Sequence, residues 1–177
     1  VANNLDLSPD AQLSFALNAL RALEYSGTVA HTQNLVPGIA FAIDPKSKDT
    51  VHIESRPGEL MDIRFGIEGP GRWLSLAMTI GKASLAGCKI VGFVCKSDAA
   101  VATTFRACIR SGLQTGHKDV YFNKTIVSYP ATSIHLDAME LEANPEIPEA
   151  APWRELVLFF KREPSQLSLR DLRVFII

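Results

Sequence analysis

Two periodicities divide the chain. Leu13, Ala16, Leu17, Leu20 and Leu23 recur at intervals of three and four, the spacing that keeps side chains on one face of a helix. Ser8 suits the cap before this run, Pro9 the first helical position and Asp10 the positive end of the dipole, while Ser26-Gly27 marks its end. The pattern predicts one amphipathic helix. Its apolar stripe must pack on the rest of the domain or on a neighbour.

From Thr28 onward short runs rich in β-branched and aromatic residues replace that spacing. They predict strands at 39–43, 50–54, 61–67, 73–80, 90–96, 103–110, 125–129, 134–141, 153–161 and 167–177. Turn residues fall between them, as in Val36-Pro37-Gly38, Arg56-Pro57-Gly58, Gly69-Pro70-Gly71, Ser111-Gly112 and Glu163-Pro164-Ser165. The segment around Ser84 reads as a turn, and the Pro/Glu-rich stretch 142–152 as a surface loop. Ten strands without interleaved helices predict an all-β fold of packed antiparallel sheets, with an N-terminal helical segment at 1–27 and the sheets in 28–177.

Alternation assigns faces. Phe105, Ala107 and Ile109 oppose Thr104, Arg106, Cys108 and Arg110; Met61, Ile63, Phe65 and Ile67 oppose Asp62, Arg64 and Gly66; Val51 and Ile53 oppose His52 and Glu54. By the same rule Ile134, Leu136 and Ala138 are assigned to the core, against His135, Asp137 and Met139. The runs 90–95 and 156–160 are apolar on both faces and are expected to be central and covered on both sides, with the helix as one candidate cover. In the last strand Asp171 and Arg173 are placed with Leu169 and Phe175, and Arg170 with Leu172 and Val174; buried charges there must pair.

Composition narrows the function classes. The 177 residues are 47% hydrophobic and 21% charged with a net charge of -1, so the chain lacks the basic excess that coats nucleic acid, and no nucleic-acid partner is expected. The apolar runs fall short of a membrane span. Cys88, Cys95 and Cys108 form no C-x-x-C pair and read as buried thiols. No Asp-x-Asp cluster suggests a metal site, and no cofactor motif is present. The chain opens at Val1, which suits an excised domain or a processed product.

The ending "WRELVLFF", a turn and "LSLRDLRVFII", preceded by "KIVGFVCKS", "FRACIRSG" and "DVYFNKTIV", resembles the closing strands of galactose-binding-like jelly-roll carbohydrate-binding modules. It also resembles accessory β-sandwich domains attached to bacterial polysaccharide biosynthesis proteins. The resemblance implies an antiparallel jelly-roll β-sandwich over 28–177 and a non-catalytic module that binds oligo- or polysaccharide, in polysaccharide production or recognition. With aromatic residues at 8%, the usual platform of rings for sugar stacking is not expected.

The candidate site is the charged strand face. Arg64, Arg106 and Arg110 would contact acidic or hydroxyl groups, because a guanidinium fork matches oxyanions. His135 and Asp137 would exchange hydrogen bonds with sugar. Cross-strand ion pairing on a solvated face is the structural alternative. Trp73 and Trp153 are expected to plug the sandwich ends; in "TGHKDVYFNKT", read as a loop, one of Tyr121 and Phe122 is expected in the core. Two other functions remain open: docking of the helix onto a neighbouring domain or a second copy, and glycoside chemistry by carboxylates drawn from Glu54, Asp62 and Asp137.

Overall fold

The computed structural model describes residues 11–81 and 84–177. One helix, α1 (Ala11–Ala22), precedes twelve strands: β1 (Tyr25–Val29), β2 (Gln33–Val36), β3 (Ile39–Ile43), β4 (Thr50–Ser55), β5 (Met61–Gly66), β6 (Leu74–Thr79), β7 (Ile90–Asp98), β8 (Thr103–Gly112), β9 (His117–Ser128), β10 (Ser133–Glu140), β11 (Arg154–Phe160) and β12 (Ser165–Ile176). The expected cap at Ser8, Pro9 and Asp10 lies outside the described residues, as do Lys82 and Ala83 of the turn before Ser84. Two six-stranded antiparallel sheets pack face to face as a jelly-roll β-sandwich. Sheet A runs β1-β4-β5-β12-β7-β10 and sheet B runs β2-β3-β6-β11-β8-β9.

The helix belongs to this sandwich. Leu13, Ala16, Leu17 and Leu20 join the same buried cluster as both sheets, so the stripe is covered within the chain; Phe15, on the opposite side, is exposed. The helix touches β12 in sheet A and β2 and β6 in sheet B. Among the described residues its main contacts are therefore not with β11. Arg21 reaches the Asp171 carboxylate and donates to the Leu172 carbonyl at 3.2 Å. The helix ends at Ala22, and Ser26-Gly27 lie in β1, an edge strand whose polar outward residues hid its pairing with β4.

Four phenylalanines hold the sheets together. Phe160 of β11 meets Phe41 of β3, Phe105 of β8 and, across the interface, Phe65 of β5, with ring centroids 6.1, 5.5 and 5.0 Å apart. Such rings bury large apolar areas and gain further from tilted geometry.

β12 accommodates its charges through a bulge. Leu169 pairs with Ser97 and Asp171 with the adjacent Lys96, so Arg170 is an extra residue and the alternation reverses there. Leu167 and Leu169 before the bulge and Leu172 and Val174 after it are all buried. Leu169 therefore does not share a face with Asp171, as strict alternation required. Arg170 donates to both oxygens of Asp98 at 2.9 and 3.2 Å and to Glu59 at 3.4 Å. Arg173 donates to Asp171 at 3.1 Å.

One end of the sandwich is tied by a carboxylate. Asp49, buried between β3 and β4, accepts from Arg162 Nε at 2.7 Å and Nη2 at 2.8 Å and from the Glu68 backbone N–H at 2.9 Å. Arg162 also donates to the carbonyls of Gly71 and Gly69. Asp44 accepts from the Arg72 and Lys46 backbone N–H groups. Three connections are thereby pinned beside Arg72, Trp73 and Lys161.

Phe160→Ala is expected to destabilise the fold by about 3–5 kcal/mol, read by urea unfolding. The Arg162 guanidinium holds the Asp49 carboxyl below the usual range. Its stabilisation is complete above the unfolded-state pKa and is lost as pH falls through the lower folded-state value. Asp49→Asn is therefore expected to lower Tm at neutral pH and to flatten its acid limb, measured by thermal denaturation across pH.

Candidate functional site

The outer face of sheet B carries an open cleft of about 830 Å³, within the range of small-ligand sites. Cross-strand pairing sets the outward residues of sheet B in rows, and the row of Phe159 lines the cleft. Ala40, Ala77, Val157, Cys108 and Tyr121 stand abreast; Ala42, Ser75, Phe159, Arg106 and Thr125 form the next row. On the other flank stand Thr79, Glu155, Arg110 and Asp119. Side chains grow from β3 and β6 toward β8 and β9, and that gradient hollows the surface. Because β11 alternates, Leu156, Leu158 and Phe160 fill the core while Val157 and Phe159 face outward. Of the run expected to be covered on both faces, Val157 is fully buried on the outward side as well, while Phe159 lines the cleft.

Aromatic and charged groups interlock at the β9 side. The Tyr121 and Phe159 rings lie 5.8 Å apart. Arg106 stands over Tyr121 with Cζ 4.5 Å from the ring centroid, and Arg110 Cζ lies 5.6 Å from Phe159. Asp119 accepts from Arg110 Nε at 2.7 Å and Nη2 at 2.8 Å, a bidentate pair. Burial lifts the Glu155 carboxyl and the Tyr121 hydroxyl above their ordinary values. Burial also pushes the Cys108 and Cys95 thiols up to about 12, so both are inert at neutral pH.

The five residues expected to form the site do not share a surface. Arg106 and Arg110 line the cleft. Arg64, beside His52, stands outward on the opposite sheet. His135 and Asp137 point inward on β10, the reverse of their assignment, and it is Ile134 and Leu136 that are exposed. The reason lies in β9, where Phe122, Asn123 and Lys124 stand opposite the single Ala107. This bulge frees the Lys124 backbone N–H, which donates to buried Asp137 at 2.9 Å and joins the sheets at their β9/β10 edge. His135 stacks on Phe93 at 6.1 Å, and burial holds its pKa below the ordinary value.

The carboxylates considered for glycoside chemistry are likewise split: Glu54 pairs in register with Asp62 on sheet A, while Asp137 supports the edge. Trp73, Asp119, Tyr121 and Phe159 line the cleft but were not among the residues chosen for the site from sequence. Phe122 is in the core and Tyr121 exposed, as expected of that pair, but on a strand rather than a loop. The visible signal was parity, since Phe159 and Trp73 are out of phase with the core leucines of β11 and β6.

Among the described residues no group of three or more His, Cys, Asp or Glu side chains is placed to hold a metal ion, and no helix is long and apolar enough to cross a membrane. Asp137→Ala leaves the Lys124 N–H without its acceptor and is expected to cost about 1–3 kcal/mol of stability, by denaturant unfolding.

The sequence matches no family model and no curated protein. Solved structures share the architecture. A CBM4 structure superposes with a TM-score of 0.58 at 14% identity, over 91% of this chain and 99% of that one. A family 11 carbohydrate-binding module from Clostridium thermocellum, in complex with a β-1,3-1,4-mixed-linked tetrasaccharide, gives 0.56 at 8% identity over 85% and 96%. The family 11 module of a cellulosomal cellulase from the same organism gives 0.55 at 8% identity over 86% and 95%. This chain has the jelly-roll β-sandwich fold found in those carbohydrate-binding modules.

Proposed function

We propose that this chain is a non-catalytic carbohydrate-binding module that receives an oligo- or polysaccharide in the cleft of sheet B. The observation that carries the reading is the convergence of Trp73, Tyr121 and Phe159 with Arg106, Arg110 and Asp119 in one open cleft on a rigid sheet. Ring faces suit sugar C–H surfaces, and fixed donors and acceptors suit hydroxyls. The fold shared with a module solved in complex with a tetrasaccharide supports the same reading. We place the module in polysaccharide production or recognition as an accessory unit, a role suited to a cleft that stays open to a long chain.

A second reading, docking onto a neighbouring domain or a second copy, draws on exposed Phe15, Ile134 and Leu136. With the helix stripe buried, such contact would use the outward side of α1 or of β10.

Tyr121→Ala and Phe159→Ala are each expected to weaken glycan binding roughly tenfold or more while leaving the fold intact. Arg64→Ala and Ile134→Ser should leave it unchanged. Calorimetry against a panel of oligosaccharides, with circular dichroism as the folding control, reads the difference. Wild-type affinity in both aromatic variants would contradict the assignment.

A further inference from the structure

The charges in the cleft do not balance, and the imbalance bears on which glycan fits. At the β9 side Arg110 is neutralised by Asp119, and at the opposite end Lys161 pairs with Glu163 at 2.7 Å. Arg106 and Arg72 also line the cleft, and among the described residues neither guanidinium is within ion-pair distance of a carboxylate, although Arg72 is near enough to Asp44 to help lower its pKa. This stands out in a chain whose net charge is -1. Among the described residues Arg106 is held by the Tyr121 ring, and its N–H donors make no hydrogen bond.

The aromatic rings are arranged to the same effect. A neutral glucan binds chiefly by laying its C–H faces on bare rings. Here Arg106 stands over Tyr121 and Arg110 over Phe159, so these two cleft rings each share one face with a cation, and Trp73 does not among the described residues. What the cleft presents at its centre is therefore a planar, positively charged donor surface with an aromatic backing. That surface matches an oxyanion attached to a sugar ring better than it matches hydroxyls.

Resting on the glycan-binding reading above, we infer that the cleft selects an acidic polysaccharide, with Arg106 receiving the carboxylate or sulfate of one sugar and Arg72 that of another along the chain. The recognition is charge-assisted, so affinity falls as ionic strength rises.

The test is calorimetric titration of the folded chain with four probes: a polyuronate oligosaccharide, its carboxyl-reduced neutral counterpart, a sulfated oligosaccharide and a neutral β-glucan. The acidic probes are expected to bind at least about tenfold more tightly than the neutral ones, with Arg106→Gln removing most of that preference. Arg64→Gln, on the other sheet, should not change it. Whether the polyuronate or the sulfated probe binds more tightly identifies the source of the anion. Equal affinity for the acidic probes and their neutral counterparts would overturn the inference while leaving a glycan site in place. An acidic preference untouched by Arg106→Gln would overturn the role of Arg106. Silence toward every probe would overturn both this inference and the glycan reading beneath it.

Discussion

The two-residue period of β11 is the constraint on which both the core and the cleft depend. With Leu156, Leu158 and Phe160 inward, Glu155, Val157 and Phe159 are obliged to face out. Phe160 contacts rings from both sheets and so locks the strand's register. A slip by one residue would send Phe159 into the core and Phe160 into solvent. The cleft is thus a by-product of the packing that makes the sandwich stable.

Three polar devices then set the borders of that surface. Asp49 and Arg162 gather the connections that carry Arg72, Trp73 and Lys161 at one end. Asp137 takes the N–H that the β9 bulge leaves over, joining the sheets behind Tyr121. Ser97 and Ser128 share a 2.6 Å hydrogen bond across the same edge. Each is a buried or half-buried polar group with its partners supplied, as an apolar interior requires. On the outer face of sheet A, Gly92 permits Phe175 to lie across β7, where any side chain would meet the ring.

The sandwich, the helix and most strands were legible because their core faces alternate cleanly, as in β4, β5 and β8. The failures have physical causes. β1 and β2 are short or polar edge strands, and edges need only one apolar face. The first part of β9, 117–124, read as a loop because its outward residues are polar and a bulge breaks its period. β10 was inverted because Ile134 and Leu136 are exposed while Asp137 is buried for the sake of a backbone N–H on another strand, a contact without local signature. Arg170 sits on a bulge, which alternation cannot register. Arg106 and Arg110 were recognised as a pair on one face, but their surroundings depended on which strands lie beside β8. Sheet order is a property of topology, and Phe159 and Tyr121 joined the site only once it was known.

The central claim is that ligand meets this chain on the outer face of sheet B. Its most direct test is mapping of backbone amide chemical shifts as a mixed panel of neutral and acidic oligosaccharides is added. The account predicts perturbations concentrated at Arg106, Arg110, Asp119, Tyr121 and Phe159, with β4, β5 and β10 silent. Perturbations confined to sheet A, or to the β10 surface around Ile134 and Leu136, would contradict it.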